Sequence, residues 1–109
     1  MIKTRTITAQ EAAAFKARLA ASPKLTFNLG EEKRFSVARV GYPPPGQGPL
    51  EPHFETTDDK LYRLPVELGQ WAYDLVAVSI TSGVNVFPTP VVFGRHKAKD
   101  GGRYWAEIL

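Results

Sequence analysis

The chain has 109 residues, of which 43% are apolar and 11% aromatic, and its formal charge is +3; a chain of this size and composition supports one core and is not disordered. It contains no cysteine, which excludes disulfides, a thiolate nucleophile and cysteine-ligated zinc, and makes a reducing, cytoplasmic setting the expectation. Charge is unevenly placed, with eight Lys and Arg against three Glu in residues 1–40, two against six acids in 41–90, and four against two in 91–109, a layout that bears on partners more than on fold.

In chain order, Ile2–Ile7 alternates basic Lys3 and Arg5 with Ile2, Thr4 and Thr6 and predicts a short strand with a basic outer face. Thr8 and Glu11 have capping-box spacing ahead of AQEAAAFKARLAA, a run of strong helix formers, so a helix is expected until Ser22 and Pro23 end it. Phe15 and Leu19, with Ala12, mark its buried stripe. Gln10, Glu11, Lys16 and Arg18 interrupt any apolar run long enough for a signal-peptide core, so no export is expected.

Leu25, Phe27 and Leu29 then alternate with polar residues, Gly30–Lys33 reads as a turn, and Phe35 and Val37 continue toward Val40, which predicts a hairpin. The segment GYPPPGQGPLEP (41–52) follows. Its prolines remove backbone donors and fix φ, so no ladder runs through it, and a long loop or arm is expected. His53–Thr57 predicts a short edge strand closed by a turn at Asp58, Asp59 and Lys60, and Leu61–Val66 another strand weakened by Pro65. Trp71–Ile80 is apolar on both faces of a period-two reading and predicts a central strand. It spans only about half of a membrane-crossing helix and contains Asp74, so no membrane span is expected. Ser82 and Gly83 read as a turn into Val84–Phe87, and Pro88 and Pro90 as a bend. The last hairpin pairs Val91–Lys97 with Arg103–Leu109 through Asp100 and Gly101. About seven strands and one helix predict a mainly β chain at the α+β margin, a small antiparallel β-barrel or β-sandwich with one N-terminal helix, forming a single domain over 1–109.

Chemistry is sparse. His53 and Glu55 would share a strand face near Asp58 and Asp59, but one imidazole without cysteine falls short of zinc patterns, and an exposed polar edge strand accounts for these residues. His96 lies among cations, which discourages a metal. Ser22, Ser36, Ser79 and Ser82 lack a nucleophile-elbow context, and Gly46 and Gly48 lack the strand and helix of a phosphate cradle. No catalytic residue, metal or cofactor is expected.

Two binding readings remain. The first is a non-enzymatic protein-binding or assembly module in a structural or regulatory role, which associates with proteins, copies of itself included. In it the preorganised arm supplies Tyr42, Pro43, Pro44, Pro45 and Leu50 to the partner. The second is a nucleic-acid-binding β-barrel using Lys33, Arg34, Arg39, Arg95, Lys97, Lys99 and Arg103 with the rings of Tyr104 and Trp105, against which the acidic stretch from Glu51 to Asp74 would repel a polyanion.

Overall fold

The computed structural model describes residues 8–42 and 51–109; the strand expected over Ile2–Ile7, and Pro43, Pro44, Pro45 and Leu50 of the arm, lie outside the described residues. Helix α1 (Ala9–Ala21) forms where the helix formers are densest. Extended Thr8 accepts the Glu11 N–H on its hydroxyl at 3.1 Å, which satisfies one of the free donors of the first turn. Ser22 is extended ahead of Pro23, and its hydroxyl donates to the Leu19 carbonyl at 2.6 Å. The expected stripe is shallow: Phe15 and Leu19 are half-buried and Ala12 is exposed.

Among the described residues five strands make one open antiparallel sheet in the order β3-β2-β1-β4-β5. They are β1 (Glu32–Gly41), β2 (His53–Thr56), β3 (Leu61–Arg63), β4 (Thr89–Arg95) and β5 (Tyr104–Ile108). With a second helix, α2 (Gly69–Ser82), the chain is a mixed α+β fold, and the sheet does not close into a barrel. The barrel and sandwich expectations fail because three expected strands do not form: Lys24–Leu29, Trp71–Ile80 and Val84–Phe87.

The first of these alternates as a strand does and buries Leu25 and Phe27. β2 pairs with β1 only over Val37–Gly41 and β4 only over Glu32–Val37, and Lys24–Leu29 forms no ladder with β1. The stretch instead runs beside β3, where the Arg63 N–H donates to the Pro23 carbonyl and the Leu25 N–H to the Arg63 carbonyl, each at 2.9 Å. β1, rather than Trp71–Ile80, is therefore the central strand. β2 is also not an edge: it lies between β1 and β3, and all four of its residues are buried.

Cross-strand pairing sorts the side chains into two faces. Phe35, Val37, Phe54, Val91 and Phe93 share one, which forms the core with Leu25, Phe27, Leu64 and Leu68. Phe54 meets Phe93 at 4.9 Å between ring centroids, and Trp71 of α2 meets Phe93 edge-on at 5.4 Å. His53 and Glu55 face the other way, toward α1, where Phe15 lies 5.3 Å from the His53 ring.

α2 replaces the expected central strand for a reason visible in its composition. A nearly uncharged apolar run fits period two and period 3.6 equally well, so periodicity alone does not separate them. Gly83, at φ 71°, donates its N–H to the Ser79 carbonyl as a left-handed helix stop, where a hairpin turn was expected. The final connection likewise is not a two-residue turn. Residues 96–103 link β4 to β5 through a 3-10 turn at Ala98–Asp100, and Gly101 and Gly102 both have positive φ.

Candidate functional site: the outer face of helix α2

α2 (GQWAYDLVAVSITS) carries one charged side chain, Asp74, which accepts a hydrogen bond from Gln70 Nε2 at 2.7 Å. A helix apolar on all sides is normally buried all round. This one buries Ala72 completely and turns Trp71 to the core, yet Tyr73 is 55% exposed, Val78 51% and Ile80 77%. The following loop adds Val84 and Val86, also exposed, and is shaped by Asn85, whose Oδ1 accepts the Phe87 N–H at 3.1 Å. Between helix and loop runs a groove walled by Leu75, Ser79, Val84 and Phe87, with Val40 and Arg39 of β1 at its side. Val76, Val78, Ile80 and Val86 also line this groove, which gives helix and loop a shared apolar surface of the kind that marks interaction sites in folded proteins, while Tyr73 lies outside the groove.

The arm begins beside this surface. Tyr42 meets Tyr73 edge-on at 6.0 Å, and its ring lies against Gly69 at the start of α2, where an added Cβ would come within 3.3 Å of it. Both ends of the arm are structural. Gly41 pairs with His53 across β1 and β2, Pro52 is fully buried, and its carbonyl accepts the Leu64 N–H at 2.8 Å.

The proposed nucleic-acid residues divide. Lys33 lies on the core side, donating to the Thr26 carbonyl at 2.7 Å with its ammonium over the Phe27 ring. Arg95 donates to the Gly102 carbonyl at 2.9 Å and lies over Tyr104, which itself packs edge-on against Phe27. Arg39 pairs with Glu55 at 3.6 Å, far along β1 from the others. Trp105 lies across Gly94, near His96, and with Arg95, Lys97 and Lys99 lines a shallow depression that also contains Glu32 and Asp100. Arg34 and Arg103 are exposed. The cations therefore do not share one surface, and several are taken up by contacts within the chain.

Of the cluster expected to be exposed at β2, Asp58 and Asp59 are exposed, whereas His53 and Glu55 are buried. Glu55 lies between Arg18 of α1 at 3.8 Å and Arg39 at 3.6 Å, and Arg18 also reaches Asp59. Burial pushes the His53 imidazole below the usual histidine range, with the Glu51 carbonyl and the Glu55 carboxylate acting in the opposite direction, and among the described residues its Nδ1 has no hydrogen-bond partner. Asp58 is held below the usual carboxylate range, first by the Thr56 hydroxyl that bonds it. Among the described residues no three His, Cys, Asp or Glu side chains are arranged to hold a metal ion, and no helix is long and apolar enough to cross a membrane.

No protein family, characterised protein or solved structure matches the chain. A period-two reading of Trp71–Ile80 as a central strand hides the α2 surface. The signal that identifies it is a run longer than most strands that ends on Ser-Gly, the pattern of a helix closed by a left-handed glycine.

Proposed function

We propose that this chain is a protein-binding or assembly module whose contact surface is the outer face of α2 with the loop 83–87, and that its partners include copies of itself. The observation that carries this reading is the exposure of Tyr73, Val78 and Ile80 on a helix with a single charged side chain. Water around these side chains is released when a second apolar surface covers them, and fully burying one aliphatic side chain is worth roughly 1.5–3 kcal/mol. Tyr42 at the root of the arm extends the same surface and supplies an aromatic anchor.

Ile80→Asp tests it. The side chain is 77% exposed, so the substitution removes little from the fold. Light scattering across a concentration series should show self-association weakened at least about ten-fold, the equivalent of 1.4 kcal/mol, with the melting temperature unchanged. Unchanged association would remove α2 from the interface. Retention on single-stranded DNA that falls steeply with salt would move weight to the depression around Trp105, Lys97 and Lys99.

A further inference from the structure

The two edges of the sheet are treated differently. At β3 the chain covers its own edge: both backbone groups of Arg63 are taken by the Pro23–Leu25 stretch, and Pro65 stops the strand two residues on. β5 is the last strand at the opposite edge. Its ladder with β4 fixes which of its groups are used. The His96 N–H donates to the Arg103 carbonyl at 2.8 Å and the Leu109 N–H to the Pro90 carbonyl at 3.0 Å, with the Gly94–Trp105 and Val92–Glu107 pairs between them in register. Antiparallel pairs alternate, so Arg103, Trp105, Glu107 and Leu109 turn their N–H and C=O groups toward β4, while Tyr104, Ala106 and Ile108 turn theirs outward. Among the described residues no group bonds these three outward pairs; the 3-10 turn at Val66–Leu68 comes near β5 without taking any of them. β5 (YWAEI) also lacks the Lys, Pro or bulge with which open edges are usually guarded.

We propose that this edge is a second association surface, at which another copy of the chain adds its own β5 antiparallel and joins the two sheets into one. The inference rests on the reading that the chain associates with itself, but uses a surface separate from α2. A two-fold axis through Ala106 sets Ala106 against Ala106 and Tyr104 against Ile108, so that only outward-facing groups meet, forming up to about six backbone hydrogen bonds. A register centred on Trp105 or Glu107 would pair only two of the three outward residues of each copy, forming up to about four such bonds. The Ala106 register is also favourable for side chains. Tyr104 meets a β-branched Ile108 that is 36% exposed in the single chain, and Glu107 meets Trp105 rather than a second Glu107.

Amide hydrogen exchange on the native chain, followed from dilute to concentrated protein, reads the edge directly. The Trp105 and Glu107 amides should be protected throughout, and those of Tyr104, Ala106 and Ile108 should slow by at least about ten-fold as the dimer forms. Ile108→Pro removes one outward N–H and no bond to β4, so it should dissociate the dimer at unchanged melting temperature. Outer amides that exchange equally fast in dimer and monomer, a dimer that survives Ile108→Pro, or a chain that stays monomeric at every concentration would each overturn the proposal. If Ile80→Asp separates the copies while the outer amides never slow, the edge proposal fails and the α2 reading stands; the reverse pattern retains the edge and removes α2.

Discussion

Gly41 stands across the ladder from His53, and a Cβ at this position would collide with the imidazole Nε2. The absence of a side chain is therefore what lets a histidine lie buried between β1 and α1. Gly41→Ala should cost about 1–3 kcal/mol, the range for overpacking a tight site, and the cost should shrink in a His53→Ala background. Urea unfolding of the four proteins checks this, and equal costs in both backgrounds would show that the ring is not the obstacle. The same burial makes His53 a stability group with a definite sign. Its pKa is lowered in the folded chain from 6.5, so just below pH 6.5 the unfolded chain binds more protons, and stability falls as pH drops through that window. Asp58, lowered from 3.8, titrates further down and does not obscure this. Melts between about pH 8 and pH 5 should show a loss that His53→Gln removes; parallel curves for the two proteins would contradict it.

Among the elements, the weight of the fold falls on β1 and β4. Amides of Phe35 and Val37 in β1 should exchange more slowly than any in α2, because the central strand opens only with the whole sheet, whereas α2 is packed on one side. Phe93→Ala should cost about 3–5 kcal/mol, while Leu75→Ala, half-buried at the groove, should cost only about 1 kcal/mol. The arm separates in the same way. Exchanging all of 41–52 for a flexible link would remove the Gly41–His53 pairing and the buried Pro52, and so destabilise the chain. Exchanging 43–50 alone should leave the melting temperature nearly unchanged while weakening association, since loop-closure entropy varies slowly with length. A large drop in stability for this shorter exchange would place the segment in its own chain's packing.

For the whole molecule, uneven charge along the chain does not become an equally uneven surface. The acidic 41–90 stretch and the basic 1–40 stretch are brought together, as in Lys24 with Glu51 at 3.5 Å and Arg18 with Glu55. An exposed pair such as Lys24–Glu51 is worth less than about 1 kcal/mol, so its main effect is to neutralise the field rather than to hold the fold. Heparin retention should accordingly be weak, with a shallow salt dependence reflecting a few free cations such as Arg34 and Arg103. Elution only at high salt would show a concentrated basic face.

Local signals in the sequence determined local structure. Thr8, Glu11 and Pro23 bound α1 because a cap and a proline act within one turn, and Asp58–Lys60 forms its turn, with Asp59 at φ 67°, for the same reason. The alternation of Phe35, Val37, Val91 and Phe93 identified real strands, since a half-buried strand must show period two. Two things were decided only in three dimensions. Lys24–Leu29 reads as a strand but forms none: its start is held beside β3 by the two backbone bonds to Arg63, a long-range contact that alternation along the chain does not record. Trp71–Ile80 is apolar at every period. Its length and closing Ser-Gly are compatible with a helix, but the exposure of its outer face follows from where Trp71 and Ala72 find room against Phe93 and the core, which no spacing along the chain records.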